Sequence, residues 1–156
     1  MISQIEIHNR VQFFEAACRE QGYPLTLQRR TVFEELAGHT DHPTAEQLVA
    51  SVQAHFPEIS RATVYRVLDI LVKMGVARKI AHPGGVVRFD PNTRRHHHLV
   101  CTACDSVLDI SEMELDLPSL PQVSKKGFSI FDYSISFMGL CPDCRQDRKS
   151  NTNNKA

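Results

Sequence analysis

The chain has no net charge. Lys and Arg total 18, as do Asp and Glu, over 156 residues. Overall charge therefore predicts no polyanionic partner, and a nucleic-acid surface would have to come from local clustering. The opening stretch, MISQIEIHNR, has no apolar core of the kind a secretory signal needs. No apolar run approaches the ~20 residues of a membrane span. A cytoplasmic protein with no membrane partner is therefore expected. There is no internal repeat and no long low-complexity run, so repeat architectures are not indicated. There is no helical HExxH pair, and no general base stands apart from the possible metal ligands, which argues against a metallohydrolase.

What is present suffices for one or two compact domains, because 42% of residues are apolar. The first ninety residues read mostly as helix. Val11 to Glu20 is amphipathic and ends at Gly22 and Pro24. Thr26 precedes a helix over Leu27 to Ala37, with Gly38 suited to its C-cap. Thr44 caps a third helix whose apolar face is Leu48, Val49, Val52 and Phe56. Ser60 caps a fourth, which runs to about Met74 with Val64, Val67, Leu68, Leu71 and Val72 as its stripe. Two strand-like runs, Val76–Ala81 and Val86–Phe89, flank His82-Pro83-Gly84-Gly85 as a hairpin. Helices followed by a hairpin predict a winged helix-turn-helix.

The character changes after a linker around 91–95. His98–Val100 and Ser106–Ile110 read as strands, Ile110–Leu117 as a short helix and Phe128–Phe137 as a long strand. The segment from Arg145 reads as a frayed polar tail. The expected fold class is α+β: a winged-helix domain over 1–90, a hinge over 91–95, a small α/β domain over 96–145 and a flexible tail over 146–156.

Two CxxC pairs, Cys101/Cys104 and Cys141/Cys144, carry the strongest chemical signal. Each pair places two thiolates on one tight turn, and together they complete a tetrahedron suited to structural zinc. Residues 105–140 lie between the pairs, a length that adds little closure entropy. An iron site with the same thiolates, or a redox dithiol pair, uses the same residues. Cys18 reads as a buried small hydrophobe.

A second set is His42, Asp90, His96, His98 and Asp109. Imidazoles with carboxylates suit a divalent ion such as Fe²⁺, Mn²⁺, Zn²⁺ or Ni²⁺. A helix-start histidine and a solvated histidine triplet are the competing reading. From Arg61 to Lys79, five basic residues stand against the single acid Asp69. That local excess marks the fourth helix as a nucleic-acid reader, against the alternative of a solvated basic face. Arg61 and Arg66 suit phosphate or guanine edges and Thr63 suits the DNA backbone. Tyr65, one turn after Arg61, suits base edges or thymine methyls. Arg29 is a candidate phosphate anchor, and Gly84-Gly85 a candidate wing tip.

Several stretches occur in the order and spacing of the ferric uptake regulator family. They are Thr26-Leu-Gln-Arg29, His42-Pro-Thr-Ala-Glu46, Ile59-Ser-Arg-Ala-Thr-Val-Tyr-Arg66, Val87-Arg-Phe-Asp90, His96-His-His-Leu-Val-Cys101 and both CxxC pairs. From about residue 7 to residue 145 the chain resembles these metal-dependent repressors. The resemblance implies a homodimer on operator DNA, with an N-terminal winged helix and a C-terminal dimerisation domain. It implies structural zinc on Cys101, Cys104, Cys141 and Cys144. It also implies a regulatory Fe(II) or Mn(II) on His42, Asp90, His96, His98 and Asp109.

Asp at both 90 and 109 is similar to the peroxide-sensing branch, in which His42 or His96 would be oxidised. An iron, zinc or manganese uptake regulator is the alternative. A metallohydrolase or a zinc-stapled interaction module is a more distant one. A further family site falls near Arg95, His97, Asp116 and Tyr133. Arg is no ligand and Tyr stands in place of a histidine there, so that site is expected to be absent or weak, with His97 facing solvent or supporting the ligands.

Overall fold

The computed structural model describes residues 2–81, 85–114, 127–129 and 133–153. The chain divides into two units, Met1–Thr93 and Arg94–Ala156.

The first unit contains α1 (Gln4–Glu20), α2 (Leu27–Ala37), α3 (Ala45–His55), α4 (Arg61–Lys73), β1 (Arg78–Ala81) and β2 (Val87–Asp90). All four helices start on a hydroxyl. Ser3, Thr26, Thr44 and Ser60 are extended, and each side chain accepts a backbone N–H three residues on. Each such cap is worth ~1 kcal/mol. Thr44 adds a capping box, because the Gln47 side chain accepts the Thr44 N–H in return. Gly75 (φ 72°) ends α4: Val76 N–H reaches Leu71 O and Gly75 N–H reaches Val72 O, an arrangement that needs a left-handed residue. Gly38 is the C-cap of α2, as expected, with a right-handed backbone at φ −76°.

The apolar stripes of the helices meet in one core. Phe14 and Phe33 stack with ring centroids 4.5 Å apart. Leu36, Leu48, Val64, Leu68 and Leu71 are fully enclosed around them, with Cys18. Phe56 is not part of α3's buried face; it follows the helix as its C-cap and is partly exposed. The register breaks there because Pro57 follows. Helix α1 also begins earlier than its apolar pattern suggests, because Ser3 caps it. Strands β1 and β2 pair antiparallel, Arg78 with Asp90 through Ala81 with Val87. Of the turn between them, residues 82–84 lie outside the described residues, so the expected Gly84 wing tip does too.

The second unit contains β3 (His96–Cys101), β4 (Val107–Ser111), β5 (Ser136–Gly139) and α5 (Pro142–Asn153), with a 3-10 turn at Glu112–Glu114. That turn stands where a helix over 110–117 was expected; residues 115–117 lie outside the described set. The sheet order is β4-β3-β5, with β4 antiparallel and β5 parallel to β3. Strand β5 ends at Gly139, two residues beyond the expected end, and 133–135 are not strand. Segment 142–153, largely read as polar tail, carries α5, with Pro142 in its first turn and Asp143 beside it.

Leu108, Leu99 and Phe137 are register partners across the three strands and leave one apolar row exposed. Among the described residues, no helix is long and apolar enough to cross a membrane.

Candidate metal centres and nucleic-acid face

The four cysteines converge within the second unit. Cys101 ends β3, Cys104 follows in the adjoining turn, and Cys141 and Cys144 flank the start of α5. Their Sγ atoms lie within 4.8 Å of one another, and Cys104 Sγ is 3.8 Å from Cys141 Sγ. Tetrahedral Zn–S bonds of about 2.3 Å require sulfurs about 3.8 Å apart, so the set fits zinc.

The surrounding backbone favours thiolate. Cys141 N–H donates to Cys101 Sγ (3.3 Å), and this bond, with the amides of Ala103 and Cys104, pulls the Cys101 thiol down to about 6. Ser106 beside Cys104 lowers that thiol as well. Hydrogen bonds to the Cys141 and Cys104 sulfurs push Cys144 up. Four thiolates crowded together repel, so a cation is what allows the fourth to ionise. The knuckle is tied to β5 by Thr102 N–H on Gly139 O at 2.9 Å.

His96, His98 and Asp109 form a second cluster on the same unit. Period-2 alternation places His96 and His98 on one face of β3, and antiparallel register sets Asp109 opposite His98. The Nε2 atoms of His96 and His98 are 3.0 Å apart, and Asp109 Oδ1 is 3.4 Å from one and 3.7 Å from the other. Adjacent nitrogens at about 2.1 Å from one ion, at right angles, would be about 3.0 Å apart. His96 Nδ1 lies 2.8 Å from Arg94 O. A carbonyl only accepts, so Nδ1 carries the proton and Nε2 presents a lone pair.

His97 corrects an expectation. It neither faces solvent nor joins this cluster; it is fully buried on the opposite face. Its Nδ1 accepts the Ile135 N–H, and its ring stacks 5.7 Å from Tyr133, over which the Arg95 guanidinium lies at 4.9 Å. Asp116 lies outside the described residues.

The first unit holds its own pair. His42 Nε2 and Asp90 Oδ1 are 3.9 Å apart, and both side chains are almost wholly buried. Asp90 Oδ1 accepts the Asn92 N–H at 2.7 Å. His42 has a left-handed backbone (φ 53°), unusual for a residue with a Cβ. Two bonds from β2 hold it: Arg88 Nη1 donates to His42 O (2.8 Å), and Phe89 N–H to Pro43 O (2.9 Å). Arg88 carried no signal in the sequence, because its target is 46 residues away.

The expected DNA-reading residues sit as follows. Arg61 Nη2 donates to Glu46 Oε1 at 2.5 Å, the Tyr65 hydroxyl donates to the same oxygen, and the Arg61 guanidinium lies over the Tyr65 ring. Glu46 pushes the Tyr65 phenol up by holding its proton. The Thr63 hydroxyl bonds that of Ser60, and Arg66 is exposed. Arg29 donates to Pro24 O and lies over Tyr23. The basic excess around α4 is smaller in space than along the sequence. Glu46 arrives from α3, Lys79 pairs with Asp69 at 2.8 Å, and Arg78 donates to Thr93 O.

Residues 20–138 match the ferric uptake regulator family. The chain is 27% identical over 132 residues to the peroxide-responsive repressor PerR of Staphylococcus epidermidis, covering 85% of this chain and 88% of that one. It superposes on the Campylobacter jejuni peroxide stress regulator with a TM-score of 0.66 and 26% identity, covering 86% and 98% of the two chains. The Helicobacter pylori ferric uptake regulator, described as having three functional metal-binding sites, matches with a TM-score of 0.73. It is 18% identical, with 89% and 93% covered.

Proposed function

The chain belongs to the ferric uptake regulator family, metal-responsive transcriptional regulators and not enzymes, and we propose that it is a cytoplasmic, peroxide-responsive repressor. It acts as a homodimer on operator DNA, with Fe(II) or Mn(II) as the regulatory ion and zinc as the structural one. Cys101, Cys104, Cys141 and Cys144 hold the zinc. His42 and Asp90 from the first unit, with His96, His98 and Asp109 from the second, are the ligands of the regulatory ion.

The observation that carries this reading is the His96–His98–Asp109 cluster. Two imidazole nitrogens stand 3.0 Å apart beside a carboxylate, and Arg94 O holds the His96 proton on the far nitrogen. The first unit contributes the buried, preset His42–Asp90 pair. Residues 91–95 act as the hinge. Ligands drawn from both units fix the angle between them, and in a dimer that angle sets the spacing of two α4 helices against half-sites. Metal and operator affinity are then reciprocally coupled. Arg29, Arg61, Thr63, Tyr65 and Arg66 make the DNA contacts. The exposed Leu108–Leu99–Phe137 row suits burial between two copies.

Bound Fe(II) would supply electrons to hydrogen peroxide beside the ligand imidazoles, leading to oxygen addition on His42 or His96. The peroxide-sensing relatives, and Asp at both 90 and 109, support this branch over metal-level sensing.

The test compares operator binding by Fe²⁺-loaded and Mn²⁺-loaded protein before and after peroxide, with peptide mass analysis. Loss in the Fe²⁺ sample alone, with one oxygen added to the peptide holding His42 or His96, is the expected result. Fe²⁺-dependent binding that survives peroxide would instead assign the protein to iron-level sensing.

A further inference from the structure

One contact in the first unit opposes the chemistry of its surroundings. Glu46, at the start of α3, accepts both the Arg61 guanidinium and the Tyr65 hydroxyl on a single oxygen. The Arg61 side chain is 65% exposed and that of Glu46 51%. A pair this wet contributes little to stability, so its position matters more than its energy. It occupies two donors of the α4 face at once, and it puts a carboxylate beside them.

We propose that Glu46 competes with DNA for Arg61 and Tyr65 and so holds down the affinity of the α4 face. The inference rests on the reading of those two residues as DNA contacts. On an arbitrary duplex, Arg61 gains only a phosphate contact, which Glu46 already imitates, and the carboxylate repels the strand. On the operator, leaving Glu46 is offset by base-edge contacts: a bidentate guanidinium on guanine, or the tyrosine against a thymine methyl. The competing carboxylate therefore weakens both complexes, and it weakens the operator complex, which must break the Glu46 contacts in full, at least as much as the arbitrary one.

The chemistry separates the roles of the side chain. Glu46→Gln keeps the shape and an acceptor oxygen but removes the charge. Glu46→Ala removes both.

The experiment uses the full chain loaded with zinc and Mn²⁺. Its probes are an operator selected in vitro with the natural protein and a scrambled duplex of equal length. Affinities are read by fluorescence anisotropy across a salt series, and thermal melting checks that each variant folds. For Glu46→Gln, scrambled-duplex affinity should rise about tenfold, as expected when one more cation is freed for phosphate. The log–log salt slope should steepen by about one. Operator affinity should rise at least as much. Glu46→Ala should follow the same direction.

Unchanged affinity for both duplexes would overturn the proposal. So would selective loss of operator affinity, which would make Glu46 a base reader. Arg61→Ala separates this from the underlying reading. If it weakens binding while Glu46→Gln is silent, only the competition fails. If it too is silent, the DNA-contact reading fails with it.

Discussion

The two units bury different chemistry. Residues 1–93 enclose Phe14, Phe33, Leu36, Leu48, Leu68 and Leu71 in a continuous apolar core. Among the described residues of 94–156, the buried apolar side chains are Val100, Cys101 and Val107, and beside them lie His96, His97 and His98. The first set of contacts is non-directional and needs nothing but water to drive it. The second spends its interior on imidazoles and thiols, which favour burial only when bonded or ligated. The first unit is therefore a fold that carries a site, and the second is a site that completes its fold with metal. Under the proposed function, that asymmetry lets the reading surface persist while the sensing half responds.

Removing the zinc should separate the two units most. Structural zinc supplies about 10–16 kcal/mol of folding free energy in small metal-stapled domains. Cys141→Ser should collapse amide chemical-shift dispersion for residues 94–156 and leave that of 1–93 near native. Collapse of both, or of neither, would erase the distinction. The converse is Leu68→Ala, which opens a cavity in the apolar core and should cost about 2–5 kcal/mol. Denaturant melting should register that loss, while the zinc-to-protein ratio of the folded fraction stays as in the natural chain.

Within the sensing half, Asp109→Ala should abolish Mn²⁺-dependent operator binding while leaving zinc in place, as read by metal analysis on the same sample. Arg88→Ala tests a positioning residue. Without the guanidinium on His42 O, the left-handed turn relaxes, and regulatory-metal affinity should fall about 10–100-fold, as for other groups that orient metal ligands. Arg88→Lys should restore part of it, and loss of fold instead of affinity would count against positioning.

The smallest expected effect concerns Ser106. Its hydroxyl lies 3.2 Å from Cys104 Sγ and helps hold that thiol below its usual value. Zinc binds thiolate, so protons compete with it, and zinc is released as pH falls through the ligands' ionisation. Ser106→Ala raises the Cys104 thiol, and the release midpoint should move to higher pH. A chelator-based release assay reads that shift, and a midpoint moved downward would contradict the assignment.

Sequence reading went furthest where a signal is local. The hydroxyls of Thr26, Thr44 and Ser60, the α4 stripe and the two CxxC turns each depend on neighbours within four residues, and all are present as expected. Alternation correctly put His96 and His98 together because a strand has only two faces. It could not say that all three histidines, on both faces, are buried. His97 lies inside because Tyr133 and the Ile135 amide, far along the chain, return to cover it. Glu46 was legible as a helix-start acid but not as the partner of Arg61, since that pairing depends on how α3 packs against α4. Arg88 was hidden for the same reason.

The central claim is that regulatory metal bound by ligands from both units sets operator affinity. It is tested most directly by titrating Mn²⁺ into zinc-loaded protein with operator DNA, for the natural chain, His42→Ala and His98→Ala. Mn²⁺ should strengthen operator binding by the natural chain at least tenfold. Each variant, altered in a different unit, should bind zinc normally and lose that response. An equal operator affinity with and without Mn²⁺ in the natural chain, or a full response in either variant, would contradict it.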